Sequence, residues 1–319
     1  MPSYPLLAPS RRLGRTDLTV SALCLGGNVF GWTADPDQSV SVLDEYAALG
    51  GNVIDTADVY SEWAPGNSGG ESERIIGRWM AERRNRADII IATKVAKLST
   101  ARGLAPATIR AAADASLARL QTDYVDIYYA HMDDPSVPME ETLGAFDELV
   151  RAGKVRYLAA SNFTPDRLRL ALEVSAREGL ASYVATQDHY NLMERAAYEA
   201  DIQPLIDEYG LGSLPFYALA RGFLTGKYRP GTTIDSPRAG AAKSYAGAKG
   251  DRVLAALAAI AEDHGCAIPA VALAWMLGRP GLTAPIASAR TAAQLAEIAP
   301  MSTLALDANE RAALDIASA

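Results

Sequence analysis

Eight short apolar runs separated by longer amphipathic segments constrain this chain more than any other feature. The runs cover residues 22–25, 52–55, 89–93, 125–130, 155–160, 183–187, 212–217 and 282–287. They are four to six residues long with little strict alternation of polar and apolar positions. That is the pattern of strands buried on both faces. The segments between them read as helices. Residues 37–49 place Val40, Leu43, Tyr46 and Ala47 at helical spacing, and 71–84 do the same with Ile75, Ile76, Trp79 and Met80. Further helices are predicted over 106–120, 140–151, 165–176 and 202–209. Pro106 suits a first turn, Asn162 and Thr164 suit caps, and Gly153 and Gly210 suit stops. A pair at 253–263 and 269–277 precedes the last strand, a helix at 291–298 follows it, and 307–318 forms a final one.

Eight strand–helix units in 319 residues predict an α/β fold, a (β/α)8 TIM barrel forming one domain across 1–319 with extra C-terminal helices. An open doubly wound sheet would normally show a glycine fingerprint after its first strand, and no G-x-G-x-x-G occurs. Residues 11–20 read as a β-hairpin turning near Gly14–Asp17 and capping the N-terminal mouth. The longest irregular stretch, 229–250, is rich in Gly, Pro, Ser and Ala and follows the seventh strand. That places it on the face where barrel active sites form.

Composition removes other classes. The net charge is −8 with no basic block, which argues against nucleic acid as a partner. Cys24 and Cys266 are too few for a disulfide framework or a cysteine zinc site, and both read as reduced core thiols. The N-terminus lacks the pattern of a secretory signal, and no uncharged apolar run reaches about 18 residues. No membrane span is therefore expected, and the cytoplasm is the default compartment.

The chemistry-bearing residues fall at comparable places. Asp55 ends the second strand, Lys94 the third, His131 the fourth and Gln187 the sixth, and Asn162 follows the fifth. In a barrel these ends converge on one mouth. A carboxylate at the end of a buried strand is costly unless paired, and Lys94 can pair with Asp55. The same ammonium can stabilise a phenolate at Tyr60 and lower its pKa from about 10 toward neutrality. A shift of three units is worth about 4 kcal/mol. Tyr60 can then protonate a carbonyl oxygen while a hydride arrives at carbon, with His131 donating a hydrogen bond to the same oxygen. Three scattered histidines offer no ligand pair at helical spacing, so no metal is expected.

The segments NVIDTADVY with the following GGESERIIGRWM, then IIIATKV, VDIYYAHMDD, VRYLAASNF, TQDHYNLMER, PFYALARGFLTGKY and PIASARTAAQL, run in order over nearly the whole chain. In these the chain resembles the aldo-keto reductase superfamily, a family of (β/α)8 barrels that also includes potassium-channel β subunits. The resemblance implies a catalytic tetrad of Asp55, Tyr60, Lys94 and His131. It implies NAD(P)H as cofactor, with Ser161, Asn162 and Gln187 at the nicotinamide carboxamide and Phe216 stacked on the ring. Tyr217, Ala218, Leu219, Ala220 and Arg221, with Lys227, would follow the pyrophosphate. Ser288 and Arg290, preceding a helix, with Gln294 and Glu297, would hold the adenosine end. Arg290 as partner of a 2′-phosphate points to NADP over NAD. Three positions depart from the family pattern. Tyr217-Ala218-Leu219 stands where Ser-Pro-Leu is frequent, Ile298 stands where asparagine is frequent, and Pro285–Ala289 carries no lysine.

The substrate pocket is predicted in the loops after strands one, two, four and seven. Trp32, Trp63, Met132 and Phe163 are its candidate walls, and Asn28, Glu62 and Asp133 its candidate hydrogen-bonding groups. Such a pocket suits aliphatic ketones, aromatic aldehydes, steroids and keto-sugars alike. Tyr245 and Lys249 match the Y-x-x-x-K spacing of short-chain dehydrogenases, but without that family's glycine turn Tyr245 reads as a lid or surface residue. Two activities follow from the resemblance: a carbonyl reductase or alcohol dehydrogenase acting on a small molecule, and a cofactor-sensing partner protein like a channel β subunit.

Overall fold

The computed structural model describes residues 6–8, 10–228 and 239–319. Its strands are β1 (Arg11–Arg12), β2 (Thr19–Val20), β3 (Cys24–Gly26), β4 (Val53–Asp55), β5 (Ile90–Val95), β6 (Val125–Ala130), β7 (Val155–Ser161), β8 (Tyr183–Gln187), β9 (Gly212–Ser213) and β10 (Ile286–Ala287). Strands β1 and β2 form an antiparallel hairpin. The other eight form one parallel sheet in the order β10-β3-β4-β5-β6-β7-β8-β9. A bridge between Ser213 and Leu282, with Ile286 N bonded to Pro215 O at 2.9 Å, curls the last strand back on its neighbour. The sheet with its surrounding helices makes the (β/α)8 barrel that the alternation predicts.

Side-chain alternation divides the core in two. Cys24, Val53, Ile90, Ala92, Ile127, Tyr129, Ala159, Ala185 and Ile286 pack together inside the barrel. Their neighbours in sequence, such as Ile54, Ile91, Tyr128, Leu158 and Ala160, pack outward under the helices. The same period of two carries the inward face to the strands' C-terminal ends. Asp55, Lys94, His131, Ser161, Gln187 and Ser288 share the parity of these inner residues. Their placement at the top of the barrel is therefore a consequence of strand geometry. At the other end, Leu13, Leu18 and Val20 of the hairpin join the inner cluster and plug it. Gly14 makes the close approach possible: a Cβ there would lie 2.6 Å from Gly212 N.

The helices are α1 (Pro36–Ala48), α2 (Glu71–Arg83), α3 (Pro106–Leu120), α4 (Met139–Arg151), α5 (Pro165–Glu178), α6 (Gln203–Tyr209), α7 (Ala239–Lys243), α8 (Ala248–Asp263), α9 (Ile268–Leu277), α10 (Ala292–Ile298) and α11 (Ala308–Ala317). Asp35 caps α1 through a reciprocal box with Gln38, and Thr164 caps α5 by accepting from Arg167 N. Asn162, the other cap candidate, takes no part there.

Several boundaries move. The seventh strand, predicted over 212–217, keeps only Gly212–Ser213 as regular strand, because Pro215 has no N–H for the ladder. Pro285 trims the last strand to Ile286–Ala287 in the same way. A π-helical turn, Tyr198–Ile202, extends α6 backward. The stretch 229–250 is not wholly irregular, since α7 and the start of α8 lie in it; residues 229–238 lie outside the described residues. Cys24 is buried, but Cys266 is only partly so, because it sits in the turn between α8 and α9. No single helix among the described residues is long and apolar enough to cross a membrane.

Candidate active site

A cavity of about 770 Å³ opens at the C-terminal ends of the strands. At its floor, three side chains form a closed polar triangle. Lys94 Nζ lies 2.6 Å from Asp55 Oδ1 and donates to Tyr60 Oη at 2.9 Å and to the Thr56 carbonyl at 2.8 Å. Tyr60 Oη donates to Asp55 Oδ2 at 2.9 Å. Gln187 Nε2 completes the carboxylate by donating to Oδ1 at 2.8 Å. Lys94 and Asp55 are essentially inaccessible, at 0% and 1% exposure, so an unpaired charge on either would be expensive. Tyr60 is half-buried and lines the cavity.

The electrostatics differ from the expectation in one respect. Burial first, and then the neighbouring Asp55 carboxylate, push the Tyr60 phenol well above its ordinary value. Burial outweighs Asp55 at Lys94 and lowers the ammonium. The predicted drop of Tyr60 toward neutrality is thus reversed in this arrangement, because Asp55 serves both partners and favours the protonated phenol. Burial, reinforced by the cations of Lys94 and Lys97, pushes the His131 imidazole well below its usual range. The ring lies 6.0 Å from that of Tyr60, centroid to centroid. Its Nδ1 is buried without a partner among the described residues, which leaves Nε2 to meet a ligand oxygen.

Asn162 adopts φ +57, a left-handed conformation that asparagine tolerates. Its amide donates at 2.9 Å to both the His131 carbonyl and Ser161 Oγ. Phe216 lines the cavity with its ring stacked on His189 at 5.4 Å and 13°. The loop after β9 is strained, with Tyr217, Ala220 and Arg221 all at positive φ. The Arg221 guanidinium lies over the Tyr217 ring at 4.7 Å. All the predicted cofactor residues line the cavity except Ala220, whose side chain is fully buried. Arg221 and Arg290 have no carboxylate partner among the described residues, and Gln294 Oε1 accepts from Arg290 N at 3.0 Å. This donor set suits a dinucleotide: amides at one end and, along the other wall, two guanidiniums that no carboxylate of the described residues neutralises.

The predicted substrate residues divide. Trp63 and Met132 line the cavity, and Trp32 supports Trp63 edge-on at 5.6 Å without lining it. Phe163 does not reach the cavity; its ring packs against Tyr183 in the outer core. Asn28 lines the cavity but accepts from Ser288 Oγ at 2.6 Å, which ties it to the seam between β3 and β10. Glu62 is taken up by the Ser99 hydroxyl and N–H, and Asp133 by a two-pronged pair with Arg167 at 2.6 and 2.9 Å. Neither lines the cavity. Tyr245 is half-buried against Phe223, away from it. Lys97 and Arg102, which the sequence pattern does not single out, line it from the loop after β5. Their one visible signal was proximity to Lys94.

Comparison with known proteins gives a consistent answer. The aldo/keto reductase family model matches residues 22–319. The chain is 35% identical over 314 residues to the uncharacterized oxidoreductase YrpG of Bacillus subtilis, covering 92% of this chain and 91% of that protein. It is 34% identical over 312 residues to a putative voltage-gated potassium channel subunit beta of Schizosaccharomyces pombe, covering 92% and 88%. It is 31% identical over 332 residues to norsolorinic acid reductase B of Aspergillus parasiticus, covering 98% and 85%.

Proposed function

This chain belongs to the aldo/keto reductase family, and from that premise we propose that it interconverts an aldehyde or ketone and its alcohol with NADP(H). The observation that carries the reading is the Asp55–Lys94–Tyr60 triangle at the floor of a cavity large enough for cofactor and substrate. When bound, NADPH supplies the hydride that reaches the carbonyl carbon. Tyr60 supplies the proton: its O–H turns from Asp55 Oδ2 to the substrate oxygen. Lys94 stays beside the phenolate left behind and neutralises it, and Asp55 keeps Lys94 charged and aimed. His131, neutral through burial, offers Nε2–H to the same oxygen and stabilises the charge that develops there. Arg290 fits a 2′-phosphate, which favours NADP(H) with NAD(H) as a weaker substitute. Ser161 and Asn162 would hold the nicotinamide carboxamide, and Phe216, backed by His189, would stack on the ring.

The raised Tyr60 value has a directional consequence. A phenol above its ordinary value is protonated through neutral pH, so carbonyl reduction should be nearly flat from pH 6 to 8. Alcohol oxidation needs the phenolate and should rise steadily as pH increases toward the folded value. Initial rates in both directions across pH check this; oxidation falling from pH 7 to 9 would contradict it.

The similarity to a channel-subunit relative motivates a second reading, a protein that senses cofactor redox state and passes it to a partner. Following NADPH consumption with a panel of aldehydes and ketones, and cofactor affinity separately by fluorescence, decides between them. Turnover of any panel member supports the reductase. Tight cofactor binding with no turnover across the panel supports the sensor.

A further inference from the structure

One side of the cavity carries positive charge that the proposed reaction does not use. After β5 the chain turns at Ala96, φ +106, and folds back so that Ala96 and Arg102 bridge and Gly103 N bonds to Ala96 O at 3.0 Å. The turn presents both Lys97 and Arg102 to the cavity. Lys97 is half-buried and Arg102 sits at the rim. Neither side chain has an ion pair or hydrogen bond among the described residues. The nearby carboxylates are committed elsewhere: Glu62 to Ser99, Asp133 to Arg167, and Asp134 to Leu104 N and Ser136. Burial and the Lys94 cation lower the Lys97 ammonium, with no carboxylate opposing them.

These cations are not explained by the cofactor. The groups suited to its phosphates follow β9 and β10, whereas β5 stands four strands from β9 in an eight-stranded order. The β5 loop instead adjoins Lys94 and His131, where the substrate carbonyl would sit. A partly desolvated ammonium without a counter-ion is costly, and an anionic ligand would relieve that cost through charge-assisted hydrogen bonds. Thr33 Oγ1, elsewhere on the cavity wall, is also buried without a partner among the described residues. Trp63 and Met132 supply exposed apolar surface on the same cavity.

We propose that Lys97 and Arg102 form an anion subsite for the substrate, so that the preferred carbonyl compound carries a carboxylate or phosphate group. This rests on the carbonyl-reductase reading above. Lys97 is the inner contact and Arg102, with its fork of donors, the outer one.

Three aromatic aldehydes of one shape test it with NADPH: 4-formylbenzoate, its methyl ester, and 4-formylphenyl phosphate. The wild-type protein should favour one of the anions over the ester by about tenfold or more in kcat/KM, mainly through KM. Which anion wins separates carboxylate from phosphate. Lys97→Met should cut the anion-to-ester ratio by about tenfold, Arg102→Met by less, and Lys97→Arg should retain most of it. Lys97 has no side-chain partner among the described residues, so these changes orphan no group there. Equal use of ester and both anions, or a ratio unmoved in both Met variants, overturns the subsite while leaving carbonyl reduction standing. Calorimetric titration of terephthalate into wild-type and Lys97→Met protein gives a readout independent of turnover. Tighter binding to wild type with no aldehyde turned over would retain the subsite and remove the reductase reading. Equal terephthalate affinities, with no turnover, would overturn both.

Discussion

The two walls of the cavity are built on opposite principles. On the β4–β6 side, functional atoms come from inward positions at the ends of regular strands. Asp55, Lys94 and Tyr60, with Gln187 and the Thr56 carbonyl, satisfy one another before any ligand is considered. On the β9–β10 side the strands are two residues long, the loop holds three non-glycine residues at positive φ near Tyr217, and Arg221 and Arg290 lack carboxylate partners among the described residues. In the proposed function the first wall is preorganised for chemistry that changes charge at one oxygen. The second keeps charge uncommitted for a ligand that brings its own. Substitutions within the Asp55–Lys94–Tyr60 triangle should therefore cost stability and rate together, and those of Arg221 and Arg290 should cost affinity alone.

The largest expected effect tests the first wall. Lys94→Met leaves the Asp55 carboxylate buried and unpaired, which should cost about 3–5 kcal/mol in denaturant unfolding along with nearly all turnover. A variant as stable as wild type would mean that the triangle contributes no structural restraint. Next, on the second wall, Arg290→Ser should weaken NADPH binding about 10–100-fold by removing a charge-assisted contact, with much less effect on NADH. Its unfolding free energy should stay within about 0.5 kcal/mol of wild type. A comparable loss for both cofactors would remove the 2′-phosphate role.

The smallest effect sharpens the comparison behind the first wall. Asp58 is fully buried and neither carboxylate oxygen has a partner among the described residues, while the nearby Glu73 is paired with Arg119 at 2.6 Å. Burial, and then Glu73, raise Asp58 to about 7. The folded value lies above the unfolded one, so the folded state binds the extra proton. The resulting stability is full below about pH 4 and is lost as pH rises through about 7. Asp58→Asn removes the buried charge, and should be more stable than wild type at pH 8 by about 1–2 kcal/mol, with the difference shrinking toward pH 5. Thermal unfolding across pH measures it. A constant difference at every pH would show that Asp58 does not titrate in this range.

The same contrast explains what could be read from the chain. The strand-end positions of Asp55, Lys94, His131 and Gln187 were legible because a period of two and a parallel barrel leave little freedom in where such residues point. Tyr60 was legible from its spacing after Asp55. What sequence did not show depends on loop paths and shared partners. Phe163 follows a strand as Asn162 does, yet it faces Tyr183, since the left-handed turn at Asn162 sends the next side chain outward. Glu62 and Asp133 looked available until Ser99 and Arg167, distant in sequence, occupied them. Lys97 carries no signal of its own in the sequence; the Ala96 turn is what brings it to the cavity. The direction of the Tyr60 shift also escaped, because a pairwise lysine–tyrosine argument omits the carboxylate that binds both.

The account rests on Tyr60 as the proton donor of a preassembled triangle, and single-turnover hydride transfer in Tyr60→Phe tests that most directly. With NADPH bound and a reactive aldehyde mixed in, the rate of cofactor oxidation should fall on the order of 10³-fold relative to wild type. The NADPH dissociation constant, measured by fluorescence on the same protein, should stay within about threefold. Hydride transfer at close to the wild-type rate in that variant would contradict the account.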